Sequence, residues 1–236
     1  MAVGQLYNFT KLIRYINDIF IRKKQILVQL RKQLDSLFLL SDEQMKVLEK
    51  HFDNVLMRCE NCFKQTPNKY YLQNGEAFFN PYISTQYTIF LYYFANTIYK
   101  SELEQSELCD KLYYLNKSLN ALDILYAVDL PDFFMCEHPV GSVMGRALYG
   151  NDFLFYQNCV VGGFHLKDGS IVYPRIGENV KLFANSMILG DCEIVDNVNI
   201  GAGAIVKNQN ILSNSNVFGE SPNLIIKPKE RAKIVL

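Results

Sequence analysis

The sequence IGENVKLFANSMILGDCEIVDNVNIGAGAIV, residues 176–206, repeats with a strict period of six. A branched apolar residue occupies every sixth position, and a smaller residue follows each of the first five after four places. A helix repeats at about 3.6 residues and a half-buried strand at about 2, so neither explains the pattern. A period of six is typical of the hexapeptide solenoid, in which each hexad forms one side of a three-sided coil. The apolar positions are Ile176, Leu182, Ile188, Ile194, Ile200 and Val206, and the smaller ones are Val180, Ser186, Cys192, Val198 and Ala204.

The hexapeptide repeat predicts a C-terminal left-handed parallel β-helix, and the residues before it predict an N-terminal α-helical domain. The expected fold class is therefore α+β. Over residues 5–64 apolar residues recur at three and four positions, which is typical of amphipathic helices. Ser41 followed by Gln44 predicts a helix start with a capping box. We therefore expect a helical oligomerisation domain over residues 1–120 and a β-helix domain over residues 121–236.

Two further helices are expected before the β-helix. The aromatic and apolar run from Tyr87 to Tyr99 predicts a buried helix that is too short to span a bilayer. Ser101, followed by acidic residues, predicts the start of another helix that reaches about Leu119.

The six-residue period begins before residue 176 and is interrupted once. It breaks at Gly162 and resumes at Ile176, so residues 163–175 are expected to leave the coil as a loop excursion. Loops that leave a solenoid corner commonly build its binding face. The earlier positions are Ile124, Leu130 and Cys136, then, after a shift by one, Val143, Tyr149, Phe155 and Val161.

Composition excludes several other classes of protein. The formal net charge is 0, so no overall attraction to nucleic acid is expected. Charged residues interrupt the first 25 residues, which excludes a secretory signal or a membrane span there. Only Cys59 and Cys62 have CxxC spacing, and without a second pair no metal site is expected. Cys192, at a small repeat position, favours a free thiol in a reducing, cytoplasmic environment.

From Asp123 onward, motifs follow in the order DI, EHPVG, QNCVVGG and IGAGAIV, and the histidine of EHPVG comes fifteen residues after the aspartate. In this order and spacing the chain resembles the serine O-acetyltransferases among the hexapeptide-repeat acyltransferases. The resemblance extends from Asp123 to the end of the chain. In the helical half it rests on helix content and on the Asn-Pro pair before Tyr82.

The resemblance implies acetyl transfer from acetyl-CoA to an acceptor hydroxyl, with His138 as general base and Asp123 as the residue that orients it. One coil takes about eighteen residues, so residues fifteen apart can lie on neighbouring coils. The carboxylate would then fix one ring nitrogen and leave the other to take a proton. Alternatively, His138 is an ordinary surface residue at a corner of the coil, and Asp123 only caps the entry to the solenoid. His165, in the excursion, is the other candidate base.

The resemblance also implies a cofactor site. Glycine at the exit from the coil permits close approach of the thioester, and its N–H can bind the carbonyl oxygen. Small residues at later corners would line the pantetheine arm, and a lysine would meet a CoA phosphate. The alternatives are that these residues are small because corners are crowded, and that the lysine is simply solvated. The residues are Gly162 and Gly163 at the exit, Ala184, Ala202 and Gly203 along the arm, and Lys207 at the phosphate.

The acceptor is where the sequence departs from the family. Glu137 stands where the family has an aspartate that binds substrate, and Val172 and Tyr173 stand where it has arginine and histidine. Arg175 compensates for the missing arginine only if the loop is rebuilt. Tyr173 and Phe164 suit a sugar ring, so we expect a carbohydrate hydroxyl, such as a unit of capsular or other cell-surface polysaccharide. The alternatives are a genuine serine O-acetyltransferase and a catalytically silent scaffold.

The resemblance implies assembly as a homotrimer or a dimer of trimers, with each active site between two neighbours. The amphipathic helices over residues 6–56 offer apolar surface that would join two trimers. We expect no tight cysteine synthase complex, because the segment after the final coil is short and ends at Leu236.

Overall fold

The computed structural model describes residues 23–66, 71–73, 75–102 and 104–229. The chain divides into two compact units, Met1–Asp53 and Asn54–Leu236. The domain boundary at residues 120 and 121 stays a prediction. The part of the predicted helical region before residue 23 lies outside the described residues.

The first unit contains helix α1, described over residues 23–37, and the beginning of helix α2 (Asp42–Gln65). Leu30, Leu34 and Leu48 are fully buried in its core. The predicted capping box is confirmed, because Ser41 Oγ accepts the Gln44 N–H at 3.1 Å and Gln44 Oε1 accepts the Ser41 N–H at 3.3 Å.

The second unit continues with a two-stranded ribbon and two helices. They are β1 (Leu72–Gln73), β2 (Glu76–Ala77), α3 (Ser84–Ser101) and α4 (Ser106–Asn120). Helix α3 is buried without interruption from Gln86 to Ile98, as the aromatic run predicted. The predicted helix start at Ser101 is wrong. The Glu102 N–H instead donates to the Ile98 carbonyl and completes α3, so the next helix begins at Ser106.

No helix in the described ranges combines the length and the apolar character that crossing a bilayer requires.

Short strands follow α4 and wind into a three-sided coil. In chain order they are β3 (Phe134–Cys136), β4 (Val143–Met144), β5 (Leu148–Tyr149), β6 (Phe153–Phe155), β7 (Val160–Gly162), β8 (Phe164–His165), β9 (Ile171–Val172), β10 (Arg175–Ile176), β11 (Lys181–Leu182), β12 (Met187–Leu189), β13 (Glu193–Ile194), β14 (Val198–Ile200), β15 (Ile205–Lys207), β16 (Ser215–Phe218) and β17 (Ile225–Pro228).

These strands form the three faces of the coil. One face is the sheet β4-β7-β12-β15, the second is β5-β10-β13, and the third is β3-β6-β11-β14-β16, which β17 extends. Within the faces every pairing is parallel, except that β17 runs antiparallel to β16. Each face therefore stacks successive coils, as a period of six predicts.

The repeat positions form the core of the coil. All apolar and small positions predicted between residues 176 and 206 are buried, which confirms the sequence reading of this stretch. Burying one such aliphatic side chain stabilises a fold by about 1.5–3 kcal/mol. Asparagines such as Asn185 and Asn197 take the corners with positive φ, which their short polar side chains tolerate.

Before residue 176 one predicted inward position is wrong. Val143 faces outward and is 39% exposed, whereas Met144 points into the core. The step from Met144 to Tyr149 is one residue shorter than the repeat, which moves the inward position by one.

The coil ends in a cap that reverses strand direction. Strand β17 pairs antiparallel with β16, and the Lys229 N–H donates to the Asn214 carbonyl at 2.7 Å. The Lys229 ammonium then donates to Asn197 Oδ1 at 2.5 Å and to Asn199 Oδ1 at 3.3 Å. These bonds fasten the cap to the two preceding coils.

Candidate active site

The sheet β4-β7-β12-β15 has a run of corners along each side, and the candidate residues divide between them. We call the side where the chain enters the sheet the histidine edge and the side where it leaves the hairpin edge. The histidine edge comprises residues 137–142, 156–159, 183–186 and 201–204, and the hairpin edge comprises residues 145–147, 163–174, 190–192 and 208–210.

His138 lies exposed on the histidine edge with an unusual backbone. Its φ is 50°, although it is neither glycine nor asparagine and precedes Pro139. Residues 137–142 link Cys136 to Val143, whereas the shorter segment 156–159 links their partners Phe155 and Val160. The corner at residues 137–142 is therefore two residues longer than the corresponding corner of the next coil, residues 156–159. A left-handed backbone costs about 1–2 kcal/mol for such a residue, and strain of this kind is common at functional sites.

Asp123 lies beside the strand that follows this corner. It pairs in parallel with Val143, its N–H donates to the Ser142 carbonyl at 3.0 Å, and its carbonyl accepts the Met144 N–H at 2.9 Å. The structure thus places Asp123 on the coil next to the His138 corner. Its carboxylate, however, accepts hydrogen bonds from helix α4, at 2.7 Å from the Tyr113 hydroxyl and at 2.6 Å from the Lys117 ammonium.

The environment of Asp123 favours its charged form. Partial burial would raise the pKa of this carboxyl, but the hydrogen bonds from Lys117 and Tyr113 outweigh burial and hold the pKa below its usual value. The hydrogen bond between Lys117 and Asp123 also raises the pKa of the Lys117 ammonium. Because its folded-state pKa is lowered, Asp123 contributes stability above its unfolded-state pKa and loses it as pH falls through the folded-state value.

The predicted pantetheine residues lie on the same edge as His138. Ala184 is half-buried, while Ala202 and Gly203 are exposed. The Gly203 N–H donates to the Ala184 carbonyl at 2.9 Å, so the two residues stack on successive coils. A Cβ at Gly203 would meet open space, which leaves room beside this corner. Glu137 is also here, and its N–H donates to the Phe155 carbonyl at 3.0 Å.

The excursion is a β-hairpin on the opposite, hairpin edge. Strands β8 and β9 pair antiparallel, and Gly163 enters the hairpin. A Cβ at Gly163 would lie 2.7 Å from Tyr173 Cε1 and 2.8 Å from Ile171 Cγ2, so any larger residue would have to displace these side chains. A Cβ at Gly162 would meet only Leu189, at 3.7 Å. The small size of Gly163 is therefore explained by packing within the hairpin, independently of the predicted contact with the thioester.

The remaining predicted residues of this edge have different surroundings. His165 is exposed on β8, opposite Ile171. The Arg175 guanidinium lies 3.8 Å from the Asp191 carboxylate and 4.0 Å from that of Glu193. Arg175 thus already faces two carboxylates, which reduces its availability to a third.

Two cations at the base of the hairpin stack on its aromatic rings. The Lys207 ammonium lies 4.6 Å from the ring centre of Phe164, and the Arg146 guanidinium lies 5.7 Å from that of Tyr173. The sequence analysis missed Arg146, as it missed Tyr113 and Lys117. Tyr113 and Lys117 lie four apart and so share a helix face. That spacing was the available signal, although it did not identify their partner.

Strand geometry separates the two sets of candidate residues within one chain. A three-residue strand such as β12 spans about 10 Å, whereas proton transfer needs contact at about 3 Å. Within one copy of the sheet, the corner of His138 and the hairpin of Tyr173 are therefore separated by about the length of one strand. Among the described residues, no group of three or more histidine, cysteine, aspartate and glutamate side chains is placed to hold a metal ion.

The fold and the repeat define a class of protein. Residues 173–208 match the family model described as bacterial transferase hexapeptide (six repeats). The solved structure of serine acetyltransferase from Neisseria gonorrhoeae aligns with a TM-score of 0.63 and 21% identity, covering 80% of this chain and 72% of that one. A serine acetyltransferase solved in complex with CoA aligns with a TM-score of 0.60 and 20% identity, covering 78% and 75%. These structures confirm the predicted left-handed parallel β-helix after an N-terminal helical region.

The sequence relatives are more specific. Serine acetyltransferase of Staphylococcus epidermidis is 32% identical over 118 residues, which are 50% of this chain and 54% of that protein. The chain thus spans about half the length of the curated relatives it matches. The comparisons confirm the resemblance to serine O-acetyltransferase-like hexapeptide-repeat acyltransferases.

Proposed function

We propose that the protein is an acetyl-CoA-dependent O-acetyltransferase of the serine acetyltransferase type. One observation carries the proposal, namely that Asp123 and the strained, exposed His138 occupy neighbouring coils at one edge of the β-helix. The relatives named as serine acetyltransferases and the related structure in complex with CoA support it.

In the proposed reaction, one ring nitrogen of His138 accepts the proton of the acceptor hydroxyl. The hydroxyl oxygen attacks the thioester carbonyl, the new C–O bond forms and the C–S bond breaks. The proton on His138 then passes to the leaving thiolate, which gives free CoA and an O-acetyl ester. Asp123 favours the imidazolium that exists between the two proton transfers. CoA would run along Ala184, Ala202 and Gly203, and a Cβ added at Gly203 would meet open space.

The acceptor we propose is L-serine. The expected preference for a carbohydrate hydroxyl is not supported, because the relatives are named as serine acetyltransferases. Loss of the arginine at the end of the excursion motivated that preference, and Arg175 does not replace it freely because it faces Asp191 and Glu193. Arg146 supplies another cation beside Tyr173. Among the arginines that the structure describes, Arg146 alone has no carboxylate partner.

Replacing Arg146 by alanine is therefore expected to raise KM for L-serine by about 10- to 100-fold with a smaller change in kcat. A charge-assisted hydrogen bond to a carboxylate contributes about 1.5–3 kcal/mol, which corresponds to this range. The comparison variant is Arg175→Ala, for which a change of KM below about threefold is expected. Steady-state kinetics with L-serine measures both. If Arg175→Ala raises KM more than Arg146→Ala, the assignment of the carboxylate site is wrong.

We also propose a homotrimer with shared active sites. The outward residues Val143, Val160, Met187 and Ile205 are in register across the sheet and form a continuous apolar stripe between the two edges. On the other faces, charged residues such as Arg175 and Lys181 occupy corresponding positions. Threefold packing would bring the histidine edge of one copy to the hairpin edge of the next and complete the site.

A reducing, cytoplasmic location is proposed from the six buried and unpaired cysteines.

Acetyl-CoA-dependent release of free thiol, measured with L-serine and with candidate polysaccharides side by side, tests the proposed function. We expect turnover with millimolar L-serine and none with the polysaccharides. Turnover with a polysaccharide alone would restore the carbohydrate prediction. Absence of thiol release with every acceptor would favour the silent scaffold.

A further inference from the structure

Helix α4 presents two side chains to the carboxylate of Asp123. Tyr113 and Lys117 lie one turn apart on the same face of the helix, and Lys117 Nζ lies 3.4 Å from the Tyr113 hydroxyl. The hydroxyl binds one oxygen of Asp123 and the ammonium binds the other. Ala121, with φ of 49°, ends the helix and turns the chain back so that Asp123 returns to this face.

The opposite side of Asp123 is fixed by the β-helix. Its N–H and carbonyl bond to Ser142 and Met144, and the Gly141 N–H donates to the Ala121 carbonyl at 2.8 Å. Asp123 is therefore held by backbone bonds to the end of the His138 corner and by side-chain bonds to the helix. Each carboxylate oxygen can accept more than one hydrogen bond, so the two bonds from α4 leave capacity for an imidazole N–H.

We infer that Tyr113 and Lys117 are positioning residues, which hold the Asp123 carboxylate in one orientation for His138 and partly neutralise its charge. The inference rests on the proposed role of His138 as general base. In the described part of the chain, the titratable groups that bond to the Asp123 carboxylate are Tyr113 and Lys117 from α4, and Glu137 and His138 belong to the adjoining corner. Without the ammonium, the full negative charge of Asp123 would act on the imidazole and stabilise its protonated form.

Lys117→Met is expected to move the midpoint of the His138 titration to higher pH by about half a pH unit, as expected for a unit charge at several ångströms in a water-like dielectric. The acidic limb of the pH–rate profile should move by the same amount. Tyr113→Phe removes a hydrogen bond without removing a charge. It should therefore leave the midpoint in place and lower kcat by about three- to tenfold. Lys117→Arg keeps the charge and should restore the wild-type midpoint.

The experiment follows the histidine ring signals of the full chain by NMR as pH is varied, with His138 assigned by its loss in His138→Asn. Asp123→Asn is the reference variant and should move the His138 midpoint to lower pH. Lys100→Met and Tyr126→Phe are matched controls, because they break a lysine pair with Asp129 and a tyrosine bond to Asp110 elsewhere in the unit. Thermal unfolding of each variant identifies any that fails to fold, and Lys117→Gln then replaces Lys117→Met.

The outcomes separate the inference from the proposed function. Opposite movements in Asp123→Asn and Lys117→Met, with neither control moving the midpoint, support the inference. A midpoint that responds to Asp123→Asn but not to Lys117→Met overturns it and leaves the Asp123–His138 pair intact. A midpoint that does not respond to Asp123→Asn refutes the pair and the inference with it. NMR reports these results whether or not the protein acetylates serine.

Discussion

Replacing His138 by asparagine is expected to lower kcat for acetyl transfer by about 10²- to 10⁴-fold, the usual contribution of a general base. Asparagine is the informative replacement because the backbone of His138 has φ of 50°, and asparagine already occupies left-handed corners at Asn158 and Asn185. The variant should therefore keep the corner and melt no lower than the wild type. Alanine would add backbone strain to the loss of the base.

The control for this prediction is His165→Asn. His165 is exposed on the hairpin and lies on the other edge of the sheet, so its replacement should change kcat by less than about threefold. Acceptor-dependent thiol release, followed from pH 6 to pH 9, measures both variants. Full activity of His138→Asn together with an inactive His165→Asn would assign the base to the hairpin instead.

Replacing Met187 by glutamate is expected to dissociate the proposed trimer and abolish activity. Met187 lies in the middle of the apolar stripe, between Val160 and Ile205. Each interface would lose about 1.5–3 kcal/mol of apolar burial and would have to bury a carboxylate in its place. Because the proposed site is completed only across copies, separated chains are expected to be folded but inactive.

Leu148→Glu is the matched control for the assembly. Leu148 is 68% exposed on the face β5-β10-β13, where it is in register with Arg175. Light scattering at micromolar concentration should give a trimer or a dimer of trimers for this variant and a monomer for Met187→Glu. Dissociation by Leu148→Glu alone would place the interface on the other face. A monomeric wild type would contradict the proposed assembly altogether.

The period of six predicted the inward residues of the coil, because burial of every sixth side chain is a local property of the sequence. Ile176 through Val206 therefore occupy the expected positions. Corner lengths are not visible in the same way. The longer corner at His138 and the shorter step from Met144 to Tyr149 both depend on how neighbouring coils stack, and Val143 was consequently assigned to the wrong side.

The candidate site was less predictable than the fold. A motif identifies a residue such as Asp123, but its partners Tyr113 and Lys117 come from a helix whose approach depends on the turn at Ala121. Similarly, Arg146 contacts Tyr173 across a coil and a hairpin. Contacts of this kind join segments with no common sequence pattern, so a single sequence does not reveal them.

The reversed strand β17 closes one of the three faces of the coil, the sheet that ends in β16. A parallel coil leaves an open sheet edge that can template another strand, and an unprotected edge invites filaments. Because β17 covers β16 in the opposite direction and Lys229 ties it down, the exposed edge no longer matches the first coil of a second molecule. On this face, therefore, the edge that a further parallel coil would need is already occupied by a strand that runs the other way.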